Sequence, residues 1–299
     1  MLSINCEIEV GEKVLNGTKR NIIYVLFLMF VLLNESSIAQ VKRMAKCYES
    51  IAVDSSITSL KDDIKIGINT GYKLITSPAH FETSDWIYGG MAVAATGITI
   101  LVDNDIRNNF KNNHTRLLDN IADVGHNYGN AAYAITFSSA IYLGGKIFRE
   151  EKYSTTGRML LESLFYSGVV TTVIKSVIGR SRPYTEDGPS RFNGFQVKAE
   201  TTSFPSGHTT VAFAVSSVLA ERIDNVYASV FLYSLAASTV FQRIYDDQHW
   251  ASDALFGALI GYTIGKAVVK YDAEKNINNL SVSTYYLQNG GGITLKYNF

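Results

Sequence analysis

A chain of 299 residues, 46% of them hydrophobic, can bury one large core or two small ones. Its 27 lysines and arginines balance 27 aspartates and glutamates, so the net charge is zero and gives no electrostatic reason to expect nucleic acid as a partner. The two cysteines, Cys6 and Cys47, fit neither a disulfide framework nor a metal-ligand spacing.

In chain order, residues 1–39 read as an export signal or an N-terminal anchor. Lys19 and Arg20 form a positive start, Ile22 to Leu33 an unbroken apolar run of 12 residues, and Ser37-Ile38-Ala39 a small-x-small cleavage site before Gln40. The run is short for a spanning helix of about 20 residues. The first 18 residues make a long, partly acidic preface. A cleaved signal is the favoured reading, and it would place the mature chain outside the cytoplasm. Residues 40–85 are polar and mixed, with Ile57, Leu60, Ile64 and Ile68 at helical spacing. That spacing predicts an amphipathic helix packed on the main domain; a helix lying on a membrane surface is the alternative. Pro78 should end it.

Residues 86–272 carry six apolar segments, at about 86–102, 130–147, 159–178, 208–220, 227–242 and 250–269. Polar loops separate them and Pro and Gly sit mostly at their edges, so the expected fold class is all-α, a helical bundle of about six apolar helices. Gly257, Gly261 and Gly265 lay a flat stripe along the last helix, where a neighbour can approach closely. Asp103-Asn104-Asp105 resembles a short metal-binding cluster, but solvation of a helix end is the expected role. His80, His114 and His126 have no partners at ligand spacing. The tail, 273–299, ends in alternating Ile293, Leu295, Tyr297 and Phe299 after Asn289-Gly290-Gly291-Gly292, the pattern of a short C-terminal β-hairpin.

Chemistry concentrates in three clusters: Lys175-Ser-Val-Ile-Gly-Arg-Ser-Arg182-Pro183, Phe204-Pro205-Ser206-Gly207-His208, and Arg243-Ile-Tyr-Asp-Asp-Gln-His249-Trp-Ala-Ser252-Asp253. Lys175 and Arg182, seven apart, fall on one face if a helix runs to Arg182, where Pro183 would stop it. A point charge and a planar guanidinium could then meet a phosphate beyond that end. Ser206 and Gly207 open an apolar run, so their backbone N–H groups can face an anion. His249 and Asp253, four apart, would let the carboxylate orient the imidazole on one helix. An oriented, unprotonated ring nitrogen is a nucleophile for phosphorus. Each cluster alone has an ordinary reading, as a solvated helix end, a turn or a structural histidine. Only the three together point to phosphoryl chemistry.

These residues resemble the type 2 phosphatidic acid phosphatase and vanadium haloperoxidase superfamily, whose pattern is K-x6-R-P, then P-S-G-H, then S-R-x5-H-x3-D. The resemblance covers roughly the C-terminal two-thirds of the chain, with Gln242 in place of the usual Ser. It implies that His249 attacks phosphorus, that Asp253 orients it, and that His208 protonates the leaving oxygen and later activates water. Lys175, Arg182, Arg243 and the backbone at Ser206 and Gly207 would hold the phosphoryl oxygens. No metal or cofactor is implied.

The superfamily includes membrane lipid phosphatases and soluble secreted acid phosphatases, and a mean hydropathy of +0.06 suits either. The expectation is a cell-envelope enzyme of the inner membrane acting on a lipid phosphate or pyrophosphate, its site facing the periplasm. If a signal is cleaved and all six segments span, however, the site falls inside; the segment at 86–102 is the one expected not to cross. The alternatives are a soluble periplasmic acid phosphatase and a bundle that binds phospholipid without turnover.

Overall fold

The computed structural model describes residues 60–274 except Asn112, together with the backbone of 275–278, 280–287 and 290–297. The expected signal or anchor and Ile57 lie outside the described residues. The described part is overwhelmingly helical: α1 (60–76), α2 (Thr83–Lys111), α3 (Arg116–Tyr128), α4 (Ala131–Ile147), α5 (Glu151–Ile178), α6 (Gly207–Ile223), α7 (Val226–Tyr245) and α8 (Ala251–Asn278). All six expected apolar segments are helices, most of them longer than their apolar runs. The stretch 104–128, expected as a loop, is helical instead. Helix α2 runs on to Lys111, and Thr115, whose hydroxyl accepts from Leu118 N–H, caps the start of α3 at Arg116. Asn130 and Asn225 cap α4 and α7 in the same way, each accepting two backbone N–H groups.

The apolar core lies between α4, α5, α6 and α8, around Ala134, Met159, Leu160, Val215, Val218 and Val268. The glycine stripe of α8 packs against α6: a Cβ at Gly257 would stand 2.5 Å from Ser206 O, and one at Gly261 2.3 Å from Thr210 O. Both helices run away from the same end of the bundle, the end that holds the three motifs.

Several helices turn their apolar faces outward. In α2 the buried residues are Thr96, Asp103 and Arg107, while Trp86, Met91, Val93, Ile98 and Leu101 are exposed. In α1 the stripe Ile64, Ile68, Tyr72 and Ile75 is exposed, and the helix meets α5 through its small residues instead. Gly67 O accepts from the Tyr166 hydroxyl, and a Cβ at Gly71 would stand 2.9 Å from that ring. The expected packing of α1 by its apolar face is therefore inverted. In α1 and α2 a polar or small-residue inner face and an apolar outer face reverse the pattern of a water-soluble bundle and match a lipid surround.

Three described helices, α2, α5 and α8 over Ala251–Glu274, are long and apolar enough to cross a membrane. Helix α2 contains the segment expected not to cross, and by length and composition it qualifies like the other two.

Candidate active site

Helix α5 stops before Arg182. Gly179 takes a left-handed conformation (φ 62°) and donates its N–H to Lys175 O, a C-terminal cap that a Cβ could not share with Gly194 O, 1.9 Å from where it would sit. The chain thus leaves the helix four residues before the position Pro183 suggested, and Lys175 and Arg182 do not share a helix face. They converge through the loop instead. Lys175 Nζ donates to Thr202 O (2.7 Å) and Ser203 O (3.3 Å), and Arg182 Nε donates to Ala199 O (2.9 Å) and its Nη1 to Gln248 Oε1 (3.1 Å). Arg182 is extended, as the residue before a proline prefers.

The start of α6 divides its expected anion donors. Ser206 N–H is spent on Asp253 O (2.9 Å), and its hydroxyl accepts from Thr209 at 3.0 Å, so buried Ser206 ties α6 to α8 rather than presenting an N–H to a phosphate. Gly207 opens the first turn of α6 with its Cα hydrogen toward Lys175 Cε, 3.8 Å from where a Cβ would stand.

His249 precedes α8 rather than riding on it, and Asp253 lies in the first turn of that helix. The four-residue spacing still brings them together. His249 Nδ1 is 3.6 Å from Asp253 Oδ2 and 3.4 Å from Ser203 Oγ, with the imidazole almost wholly buried. Burial holds His249 below the usual histidine range, against the opposing pull of Asp253, so its ring is neutral at neutral pH.

Behind this pair stands a device that motif reading missed. Arg180, fully buried, donates from Nη1 to Asp253 Oδ1 (2.5 Å) and Ser252 Oγ (2.7 Å), and from Nη2 to Asp103 Oδ2 (2.8 Å). Asp103 in turn accepts from Ser252 N (3.0 Å) and Ser252 Oγ (2.5 Å). The expected helix-end solvation of Asp103 is overturned, because α2 continues past it and carries it into the interior. One turn on, Arg107 holds Asp247 (2.6 Å from Nε) and Glu186 (2.8 Å from Nη2), two residues with φ of 57° and 61° in the loops next to His249 and Arg182. The only sequence signal was an i, i+4 Asp–Arg pair just past an apolar segment, which fits a helix continuing beyond that segment.

On the remaining side, Arg243 Nη2 is 3.3 Å from His126 Nδ1, and the His126 and His208 rings lie 5.8 Å apart. His126 was unassigned from sequence, and its place depends on α3, which the sequence did not suggest. Gln242, the departure from the motif, accepts from Arg243 Nε at 2.6 Å and donates to Asp246 at 2.5 Å, so it braces the arginine. Burial, followed by Arg243 and His126, pushes His208 down to about 4.

A buried neutral imidazole backed by a carboxylate, with two arginines and a lysine converging at one end of an apolar helical bundle, defines a class of site suited to phosphate esters. Residues 157–277 match the model of the PAP2 superfamily. A lipid A 1-phosphatase of Porphyromonas gingivalis is 33% identical over 115 residues, which are 37% of this chain and 23% of that protein. One from Rhizobium etli is 27% identical over 150 residues, 45% of this chain and 62% of that protein. The matches thus span less than two thirds of either relative. Among solved structures, Aquifex aeolicus LpxE aligns with a TM-score of 0.44 at 25% identity, covering 56% of this chain and 94% of that one. The first transmembrane PAP2 type phosphatidylglycerolphosphate phosphatase from Bacillus subtilis aligns with 0.43 at 17%, covering 71% and 96%.

Proposed function

We propose that the chain hydrolyses a lipid phosphate, monoester or pyrophosphate, at a bacterial inner membrane, through a phosphohistidine on His249 and without a metal. The observation that carries this reading is His249, held neutral against Asp253 while Lys175, Arg182 and Arg243 converge at the same end of helices with apolar outer faces. In the first step His249 Nε2 bonds to phosphorus as the P–O bond to the lipid breaks, and His208 delivers a proton to the departing oxygen. In the second, His208 takes a proton from water, the hydroxide attacks phosphorus and the P–N bond breaks, releasing inorganic phosphate. Free His208 is neutral at pH 7; an arriving phosphate offsets the surrounding cations and raises its proton affinity. Asp253, clamped by Arg180, balances the positive charge on the imidazole while phosphorus is attached.

Lipid A is the head group we put forward, supported by two relatives named lipid A 1-phosphatases. The outward apolar faces of α1 and α2 favour a membrane enzyme over a soluble acid phosphatase. The site is proposed to face the periplasm, the residues before Gln40 to act as an export signal, and the tail to form the hairpin, a reading supported by the register Leu280↔Tyr297 to Leu287↔Gly290.

The test is phosphate release by the purified protein, in chelator, from lipid A and from a small soluble phosphate ester. His249→Ala should lower the rate by roughly 10⁴-fold or more, and brief mixing with labelled substrate should leave acid-labile, base-stable label on the parent protein only. Turnover that needs an added metal, or label absent from the parent, would overturn the mechanism.

A further inference from the structure

Helix α8 packs tightly on α6 through its glycine stripe but meets α7 only sparsely. Between α7 and α8 this leaves a groove of about 340 Å³ lined by Val240 and Ile244 on α7 and by Ala251, Leu255, Leu259 and Tyr262 on α8. Its lining is apolar throughout apart from the hydroxyl of Tyr262. Its position is informative: Ile244 lies in the last turn of α7 and Ala251 opens α8, so the groove starts at the end of the bundle that holds Arg243 and His249. From Ala251 to Tyr262 it extends about 16 Å down the helix at 1.5 Å per residue. The α8 wall lies within a helix long and apolar enough to cross a membrane.

We infer that this groove is the binding site for an acyl or alkyl chain of the substrate. The inference rests on the phosphatase reading of the adjoining site and commits the occupant to a hydrocarbon tail covalently attached to the phosphate-bearing head. The argument is the continuity of two complementary surfaces. The end of the bundle where the groove starts offers Arg243 and His249 to an anion, and the groove itself offers apolar side chains and no charge. A lipid phosphate has that same division, while a soluble phosphate ester or free phosphate has nothing to place along Leu255 and Leu259. Tyr262, beside Tyr233 with ring centroids 6.1 Å apart, is the last lining residue along α8. The length of the lining sets a limit on how much of a chain it can cover.

The test is a series of n-alkyl phosphates of increasing chain length, with para-nitrophenyl phosphate as the tail-less reference. For the parent, kcat/KM relative to the reference should rise by as much as about fourfold per buried methylene and level off once the groove is full. Leu259→Trp and, separately, Ala258→Leu, which fills the same groove from a neighbouring wall position, should lower the long-to-short ratio at least roughly tenfold. A chain-length profile that is flat in the parent, or ratios unchanged in both variants, would overturn the inference while leaving the phosphatase reading intact. Hydrolysis of none of these esters by the parent would instead overturn the phosphatase reading. Binding then decides the groove separately: a diazirine-bearing alkyl phosphate should label the segments around Val240 and Leu255, in competition with the plain alkyl phosphate but not with the matching alkanol. Labelling elsewhere, or labelling that the alkanol displaces equally, would count against it.

Discussion

Two buried ionic clusters occupy opposite ends of the bundle, and they differ in how completely their charges are matched. At the site end, Asp103, Arg180, Ser252 and Asp253 are fully buried, both carboxylates share one guanidinium, and the same groups bond the serine and, through Asp253, the backbone at Trp250. At the far end, Arg158 binds Glu162 (2.6 Å) and Asp272 (2.5 Å), and Lys146 binds Asp63 (2.6 Å), which also accepts from the Tyr142 hydroxyl. There, Glu162 Oε2 is buried without a hydrogen-bond partner, the one such side-chain atom among the described residues. The first cluster ends on His249; the second ties α1, α4, α5 and α8 together. A matched cluster fixes geometry for chemistry, whereas an imperfectly matched one can serve where only attachment is needed.

The strongest way to break this contrast is at Asp103. Asp103→Ala leaves Arg180 with a buried, half-paired guanidinium, and should cost about 3–5 kcal/mol of stability. Asp103→Asn keeps the shape and one acceptor, so the fold should survive while the Asp253 carboxylate loses its fixed orientation. For that variant we expect kcat to fall roughly 10- to 100-fold with KM little changed, because Asp103 reaches the substrate only through Arg180 and Asp253. A rise in KM with kcat preserved would show that Asp103 shapes binding instead.

At the far end the expected pattern is reversed, with stability moving and chemistry staying. Arg158→Met strands Glu162 and Asp272 and should cost about 3–5 kcal/mol. Glu162→Gln keeps an acceptor for Arg158 and removes the charge on the unpartnered side, so it should be neutral or stabilising by up to about 1 kcal/mol. Neither should change kcat on a soluble ester by more than about twofold in protein that remains folded at the assay temperature. Thermal unfolding in detergent beside turnover checks both. A large loss of kcat in Glu162→Gln would erase the distinction between the clusters.

The difference between these clusters also marks what could be read in the sequence. The six apolar helices and the glycine stripe were legible because they rest on local periodicity, and closely spaced motifs singled out His249, His208, Lys175, Arg182 and Arg243, which the fold gathers at one end of the bundle. Asp103 and Arg107 were not, since their partners lie 77 and 140 residues away, at Arg180 and Asp247. His126 was hidden because α3 is rich in polar residues and has no long apolar run. Ser206 was misjudged because a free N–H at a helix start is the default expectation, and only the fold shows Asp253 O already there. The inverted face of α1 was lost for another reason: periodicity finds an apolar stripe but does not say whether protein or lipid covers it.

The smallest expected effect separates the clusters by acid. His208, at about 4 in the folded protein, sits below the ordinary histidine value of about 6.5. Between those values the unfolded chain binds a proton that the folded site refuses, so this contribution to stability is present in full above about pH 6.5 and is lost as pH falls toward 4. His208→Gln removes that linkage. Its unfolding midpoint should therefore drop less than the parent's between pH 7 and pH 4.5, by an amount worth under about 1 kcal/mol once solvent screening at this half-buried ring is allowed for. Glu162→Gln leaves His208 and its cationic neighbours in place and should keep the parent's share of that fall. If His208→Gln followed the parent curve throughout, the ring would be as easily protonated in the folded protein as in the unfolded chain. Burial, Arg243 and His126 could not then together be holding its proton affinity down.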